Sequence, residues 1–207
     1  MKPEIMPWPQ TPGDRQALLQ KIAAALRAGR LLALPTDTVY GLAAQPDHAA
    51  KLFPAKDRPD HKPLPLLIAD IQHLDQFQAR QNALSRRLAD CYWPGPLTMV
   101  LATANGNEGF RIPDHQVTRA VLQAAGGALR VTSANLSGQP PALDAPGAIA
   151  ALGGRVDLVL DAGPAPGGVA STVVLVEEQS YKIIREGAIS AAQIEEQARA
   201  ASLTSES

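Results

Sequence analysis

Three stretches of this 207-residue chain combine hydroxyl, amide and glycine residues at or beside an apolar run. They are Pro35–Leu42 (PTDTVYGL), Thr132–Gly138 (TSANLSG) and Gly167–Thr172 (GGVAST). Loops of this composition let backbone N–H groups and hydroxyls approach a phosphate or a carboxylate closely. The same residues are ordinary turn and cap formers, so any one loop alone favours a structural role. Three of them in one chain weaken that interpretation.

Basic residues provide a second feature. Lys56, Arg58 and Lys62 place three cations within seven residues, in a segment whose prolines predict a stiff, extended loop. Lys and Arg are the partners expected for a polyanion such as a triphosphate. Taken alone, a solvated surface loop remains the favoured interpretation of this segment. Arg111 and Arg185 each adjoin an apolar stretch, where an arginine is as often a rim charge as a functional anchor.

Several kinds of site are excluded by the sequence. It contains no G-x-x-x-x-G-K-[ST], no G-x-G-x-x-G and no G-x-S-x-G, and its four histidines have no metal-ligand spacing. A single cysteine, Cys91, excludes a disulfide framework and a multi-cysteine zinc site. The net charge of −1 means that any nucleic-acid contact must come from a local patch. These exclusions favour a mechanism based on positioning and electrostatics.

The secondary-structure pattern predicts one domain with a mixed sheet, of α/β or α+β class. We expect a first helix over Arg15–Ala28 with Asp14 as its N-cap, and a short second helix that is capped by Asp47 and ends before Pro54. Two more helices are expected to begin after the N-caps Asp70 and Asn82, and two others to span 116–125 and 146–152. A last helix is expected to start at Ala191, after a capping box of Ser190 and Gln193. Strands are predicted at 31–34, 65–69, 97–103, 110–112, 129–132, 157–160, 171–176 and 181–185.

Two further patterns concern location. No run of about 18 apolar residues exists, so the sequence predicts no membrane span. Four prolines and Glu4 interrupt the first 13 residues, which therefore do not form a signal peptide. We expect a cytoplasmic protein.

Eight short motifs occur in an order that resembles the YrdC-like family of threonylcarbamoyl-AMP synthases. The resemblance runs from about Arg15 to Ile189, and the length resembles the short, single-domain bacterial form. It implies one domain over residues 1–207, with a core of about 15–189 and a frayed tail at 202–207. The motifs are PTDTVYGL, the KxR of AKDRP, KPL, WPGPLT, RIPDH, TSANLSG, STVV and IREG.

The resemblance also implies a fold and a reaction. The fold is a twisted, open mixed sheet with flanking helices and a concave basic cavity. The reaction joins L-threonine, bicarbonate or CO2, and ATP into threonylcarbamoyl-AMP and pyrophosphate, with Mg2+ on the ATP phosphates and no protein metal ligands. A partner complex then transfers the threonylcarbamoyl group to the adenosine beside the anticodon of tRNA.

The family motifs assign roles to individual residues of this chain. Lys56 and Arg58 match the catalytic, phosphate-binding pair. Two departures from the common pattern are Lys62, where many members carry Asn, and Leu67, where many carry a His that contacts threonine. The matched ATP-binding residues are Lys56, Arg58, Lys62, Ser133, Asn135 and Arg185, and the matched threonine-binding residues are Thr36, Tyr40, Arg111 and Ser171.

Alternative functions remain open from the sequence. A double-stranded RNA or tRNA-binding module would use the same basic cavity, although the net charge of −1 opposes strong nonspecific binding. A paralogue of the same fold with another carbamoyl-type activity is the second alternative, and the intact Ser133-Ala134-Asn135 opposes it. A purely scaffolding domain would leave eight chemistry-bearing motifs without a role.

Overall fold

A single mixed sheet organises the molecule. The computed structural model describes residues 2–59 and 63–204, with side chains as far as 201. Within these residues ten strands form one sheet in the order β1-β8-β2-β3-β7-β4-β6-β5-β9-β10. The strands are β1 (Glu4–Pro7), β2 (Leu32–Leu34), β3 (Gly41–Ala44), β4 (Leu66–Ile68), β5 (Leu97–Thr103), β6 (Gly106–Arg111), β7 (Ala128–Ser133), β8 (Leu158–Asp161), β9 (Thr172–Val176) and β10 (Tyr181–Arg185).

Helices cover the sheet on both faces. Short 3₁₀ segments lie at Pro46–Lys51, Ile71–Phe77 and Gly153–Arg155. The α-helices are α1 (Pro12–Arg27), α2 (Leu52–Ala55), α3 (Ala83–Tyr92), α4 (Gln116–Ala124), α5 (Ala145–Leu152) and α6 (Ala191–Thr204). The sheet contains both parallel pairs (β1–β8, β2–β8, β4–β6, β5–β9) and antiparallel ones, so the expectation of a mixed sheet with flanking helices is confirmed.

Three apolar clusters show which helices cover which part of the sheet. Helices α1 and α4 pack on one face of the half of the sheet that runs, in sheet order, from β1 through β8, β2, β3 and β7 to β4. The contacts include Leu26 of α1 and Val121 of α4. On the opposite face, α2 and α5 cover the β2, β3 and β8 region, while α3 and α6 cover β4, β5, β6 and β9. Helices α1 and α4 thus cover only part of their face of the sheet. On the same face, no helix of the described part of the chain lies over β5, β6, β9 and β10.

Local capping signals explain several helix boundaries. Asn82 is the N-cap of α3, as expected, and it forms a capping box with Ser85 in which each side chain accepts from the other's backbone N–H. Ser190 and Gln193 do the same before α6. The N-cap prediction for α1 is wrong, because the side chain of Thr11 accepts from the Asp14 N–H and the helix starts three residues earlier than expected.

Other predicted boundaries are also corrected by the structure. The segment after Asp47 is a 3₁₀ turn without a side-chain cap, and α2 contains Pro54 instead of ending before it. Proline fits there because it lies in the first turn, where its missing N–H breaks no helical hydrogen bond. The segment 71–77, expected as a helix, is 3₁₀, and strands β1 and β3 were not predicted.

Two further findings concern the ends and the membrane expectation. Helix α6 continues to Thr204, so part of the segment expected to fray is helical, while 205–207 lie outside the described residues. Across 2–59 and 63–204, no helix has the length and apolar character needed to cross a bilayer.

Candidate functional site

Strand alternation places polar side chains on the part of the sheet that no described helix covers. Phe110 of β6 and Met99 of β5 face the cluster beneath α3 and α6. Because successive side chains of a strand point to opposite faces, Arg111 and Thr98 face the other way. Thr98 pairs with Val173 of β9, which extends the same face towards β10.

A β-bulge brings Arg185 onto that face. Ile183 pairs with Val174, whereas Arg185 pairs with Val173, so Ile184 is an extra residue without a partner. In a regular strand Arg185 would share the face of Ile183, which packs on the apolar cluster. The extra residue reverses this, and the guanidinium donates to the Ser171 carbonyl at 2.8 and 3.2 Å and to the Ser171 Oγ at 3.2 Å.

The loop between β2 and β3 forms one wall of the site. Thr36 Oγ1 accepts from the backbone N–H groups of Thr38 (3.1 Å) and Val39 (3.3 Å), and it donates to the Val39 carbonyl at 2.8 Å. These local bonds fix a tight turn in which Thr36 is buried. Tyr40 is fully buried in the core, and its hydroxyl donates to the Gly163 carbonyl at 2.7 Å.

Lys56 joins the turn after α2 to the loop after β7. Its ammonium donates to the carbonyls of Ser133 and Asn135, and it lies 3.4 Å from Asn135 Oδ1. The Ser137 N–H returns a bond to the Lys56 carbonyl at 2.9 Å. Lys56 is only 1% exposed, and burial together with the nearby Arg58 charge lowers the pKa of Lys56 to about 8. The lysine thus holds the Ser-Ala-Asn loop in place.

Arg58 is less well satisfied than Lys56. Its only bond among the described residues runs from Nη2 to the Pro63 carbonyl at 3.1 Å, and its Nε is buried without a partner. Ser137 Oγ, in the adjoining loop, is likewise buried without a partner. Buried polar atoms are almost always paired in native proteins, so these two atoms keep hydrogen-bonding capacity for a ligand, as does the Nε of Arg87 in α3.

Arg111 is buried and held from three sides. Its Nε donates to the Gly95 carbonyl at 3.0 Å, Nη1 to Thr38 Oγ1 at 2.9 Å and Nη2 to Asp37 Oδ1 at 2.5 Å. Gly95 belongs to the Trp93–Pro96 turn, so this turn helps to orient Arg111.

The cations of the site are close enough to influence one another. Burial and the Arg185 charge lower the pKa of Arg58, and burial and the Arg111 charge lower the pKa of Arg185. With the effect of Arg58 on Lys56, a continuous series of interacting positive charges runs from Lys56 to Arg111. Like charges gathered in this way favour a polyanionic ligand.

The structure brings together most of the residues that the sequence singles out. Lys56, Arg58, Arg111 and Arg185 form the charge series, Ser171 joins Arg185 to Thr98 Oγ1, and Thr36 lies in the turn that carries Asp37. Lys62 lies outside the described residues. No ligand-binding role is tested by these contacts, and the concave shape of the basic cavity stays a prediction.

Two predicted residues have structural contacts that the sequence does not reveal. The Asn135 amide donates to the carbonyls of Leu136 (2.8 Å) and Gln139 (2.7 Å) and so closes its own loop. The Tyr40 hydroxyl is directed to Gly163. Sequence reasoning also missed Asp37, which lies 74 positions from Arg111. A carboxylate between two threonines in a predicted anion loop was the available signal.

Metal binding by the protein alone is not supported within residues 2–59 and 63–204, where no group of three His, Cys, Asp or Glu residues could hold a metal ion. The acidic side chain that contacts the charge series is Asp37, and it is paired with Arg111.

Known proteins match this chain over most of its length. The family Sua5_yciO_yrdC, described as "Telomere recombination", matches residues 24–187. A putative threonylcarbamoyl-AMP synthase of Mycobacterium leprae is 37% identical, and the match covers 89% of this chain and 90% of the relative. The threonylcarbamoyl-AMP synthase of Bacillus subtilis is 35% identical, with 86% of this chain and 55% of the relative covered.

A solved structure agrees with the same assignment. Pyrococcus abyssi Sua5 complexed with L-threonine has a TM-score of 0.85 and 27% identity to this chain, with 95% of this chain and 61% of that chain covered. This chain therefore spans about three fifths of the Pyrococcus protein. The resemblance drawn from the motifs is confirmed, and the chain belongs to the Sua5/YciO/YrdC family.

Proposed function

We propose that this protein is an L-threonylcarbamoyladenylate synthase, a nucleotidyltransferase that converts L-threonine, bicarbonate or CO2, and ATP into threonylcarbamoyl-AMP and pyrophosphate. The observation that carries the proposal is the series of interacting cations from Lys56 through Arg58 and Arg185 to Arg111. The names of the curated relatives and the L-threonine complex of the Pyrococcus protein support it.

The chemistry explains why such a site needs many positive charges and no nucleophilic side chain. The threonine amine first becomes a carbamate, and a carbamate oxygen then attacks the α-phosphorus of ATP. Electrons of the bond between the α-phosphorus and its bridging oxygen leave with pyrophosphate. Three anions must therefore meet, and negative charge grows on the leaving group, so fixed cations lower the barrier.

The phosphate end is assigned to Arg58 and Arg185, with Lys56, Lys62 and the Ser133–Asn135 loop. Arg58 is suited to a ligand because its buried Nε has no partner in the described protein. Lys56 adds its charge while it holds the loop carbonyls. Mg2+ enters as part of the MgATP substrate and shares the phosphate charge.

The amino-acid end is assigned to Arg111, Thr36 and Ser171. A guanidinium carries five N–H groups, and three of those of Arg111 have protein partners. Among the described residues one N–H on each terminal nitrogen remains without a partner, and these two could bind a carboxylate as a bidentate pair. Tyr40 acts from the core, through the segment that its hydroxyl anchors at Gly163.

The product implies further partners. Threonylcarbamoyl-AMP carries an activated acyl group, so a transferase complex that acts on tRNA must consume it. We propose that both reactions take place in the cytoplasm. Direct contact with tRNA or double-stranded RNA would use the same cation series.

Pyrophosphate release from ATP by the purified full chain tests the proposal. Release that requires L-threonine, bicarbonate and Mg2+ together is the expected result. A folded protein that binds ATP but shows no threonine-dependent release would refute it and would favour another carbamoyl-type activity. Salt-sensitive RNA binding without any ATP turnover would favour an RNA-binding module instead.

A further inference from the structure

The Asp37–Arg111 pair is the ion pair buried within the proposed amino-acid site. Its side chains are 10% and 6% exposed, and the Nη2–Oδ1 distance is 2.5 Å. Only one carboxylate oxygen and one terminal nitrogen take part, so the contact is not the two-bond fork that Arg and carboxylate commonly form. The pair therefore orients the guanidinium without using both of its terminal nitrogens.

The backbone that carries Asp37 is fixed on both sides. The Thr38 carbonyl accepts from the Gly168 N–H at 2.7 Å, and the Pro35 carbonyl accepts from Thr118 Oγ1 at 2.5 Å. At Gly167 a Cβ atom would lie 3.2 Å from Thr38 Cα and closer still to the Asp37 carbonyl oxygen, so the neighbouring segment packs directly on this turn. The carboxylate is thus presented from a rigid support.

Arg111 needs a negative partner because it lies near another cation. The Arg111 charge disfavours the charged form of Arg185, and the repulsion acts equally on Arg111. Among the described residues, Asp37 is the carboxylate that contacts Arg111. Without Asp37, the guanidinium of Arg111 would be held only by two neutral acceptors, the Gly95 carbonyl and the Thr38 hydroxyl, while the Arg185 charge repels it.

We propose that Asp37 is a positioning residue for amino-acid recognition: its carboxylate fixes the Arg111 guanidinium so that one N–H on each terminal nitrogen faces the substrate carboxylate. This inference rests on the proposed function, because it concerns how the same site holds L-threonine. Asp37 acts through Arg111, and the phosphate end of the site does not depend on it.

The variant Asp37→Asn in the full chain tests the inference, because it keeps the size of the side chain and removes its charge. The KM for L-threonine should rise at least about tenfold, while kcat and the KM for ATP stay within about twofold. The matched control is Glu108→Gln, which removes the charge of a carboxylate that holds Arg130 through both oxygens. The control should leave the KM for L-threonine within about twofold.

A second measurement is independent of turnover. The Nε–H signal of Arg111 in ¹⁵N NMR spectra, assigned by its absence in Arg111→Lys, should exchange with solvent at least about tenfold faster in Asp37→Asn. An unchanged KM for L-threonine, or equal increases in the KM of both substrates, would overturn the inference. If wild-type protein shows no threonine-dependent pyrophosphate release, the proposed function fails. The positioning role is tested separately by the NMR measurement, and an Arg111 Nε–H exchange rate that is the same in Asp37→Asn as in wild type would overturn it.

Discussion

The substitution Arg58→Ala should lower the activity strongly and change the free energy of unfolding only slightly. Among the described residues the side chain makes one hydrogen bond, to the Pro63 carbonyl at 3.1 Å, and its removal costs about 1 kcal/mol. Against this, the variant no longer buries the unpaired Nε and no longer places a cation beside Lys56 and Arg185, which offsets a comparable amount. The free energy of unfolding should therefore change by less than about 1 kcal/mol.

The activity of Arg58→Ala should change far more. Loss of one preorganised charge at the phosphates costs roughly 2–4 kcal/mol of transition-state stabilisation, or about 30- to 900-fold in kcat/KM for ATP. Urea unfolding followed by circular dichroism gives the stability, and pyrophosphate release gives the rate. Removal of Arg58 should also raise the pKa of Lys56, because the Arg58 charge contributes to its depression.

Arg130→Ala is the matched control for Arg58→Ala. Arg130 holds Glu108 through two bonds and the Leu64 carbonyl through a third, so its loss should cost about 2–3 kcal/mol of stability. An Arg58→Ala protein that loses more than about 2 kcal/mol of stability yet keeps near-normal kcat/KM would refute the assignment of Arg58 to the phosphates.

Three other outcomes follow from the structure. Arg111→Ala should mainly raise the KM for L-threonine in steady-state assays, and a rise confined to the KM for ATP would show that the two ends of the site are assigned wrongly. Gly187→Ala should lower the stability by about 1–3 kcal/mol in urea unfolding, because its Cβ would lie 2.6 Å from the Ser171 carbonyl carbon; a change below about 0.5 kcal/mol would contradict this. Burial lowers the pKa of His115 from 6.5, so below that pH the unfolded chain binds more protons and stability falls on acidification. Urea unfolding at about pH 7.5 and about pH 5.5 should show a smaller loss in His115→Asn than in wild type, and equal losses would contradict the prediction.

Local signals in the sequence predicted the elements whose ends are set by neighbouring residues. Asn82 was predicted as an N-cap from its residue type, and Ser190 from its spacing of three residues to Gln193. Strand β10 was predicted with its observed bounds, Tyr181–Arg185. Strand β3 was missed because Gly41–Ala44 follows a loop-forming motif and is a strand only through pairing with β2 and β7.

The site shows the same division between local and long-range information. The motifs identify Lys56, Arg58, Arg111 and Arg185, and the structure shows that their charges interact. The partners of these side chains could not be predicted, since Asp37 and Arg111 lie 74 positions apart and meet only in the folded chain. The acceptors of the Lys56 ammonium are backbone carbonyls, which no residue type reveals.

The bulge at Ile184 has a consequence beyond the direction of Arg185. Strand β10 is the last strand of the described sheet, so its outer N–H and C=O groups are available to another extended chain. Ile184 is 54% exposed there, and an apolar side chain on a regular free edge would favour self-association into longer sheets. The extra residue interrupts the regular spacing of the N–H and C=O groups along this edge and twists the strand. The same bulge that orients Arg185 therefore also opposes aggregation through β10.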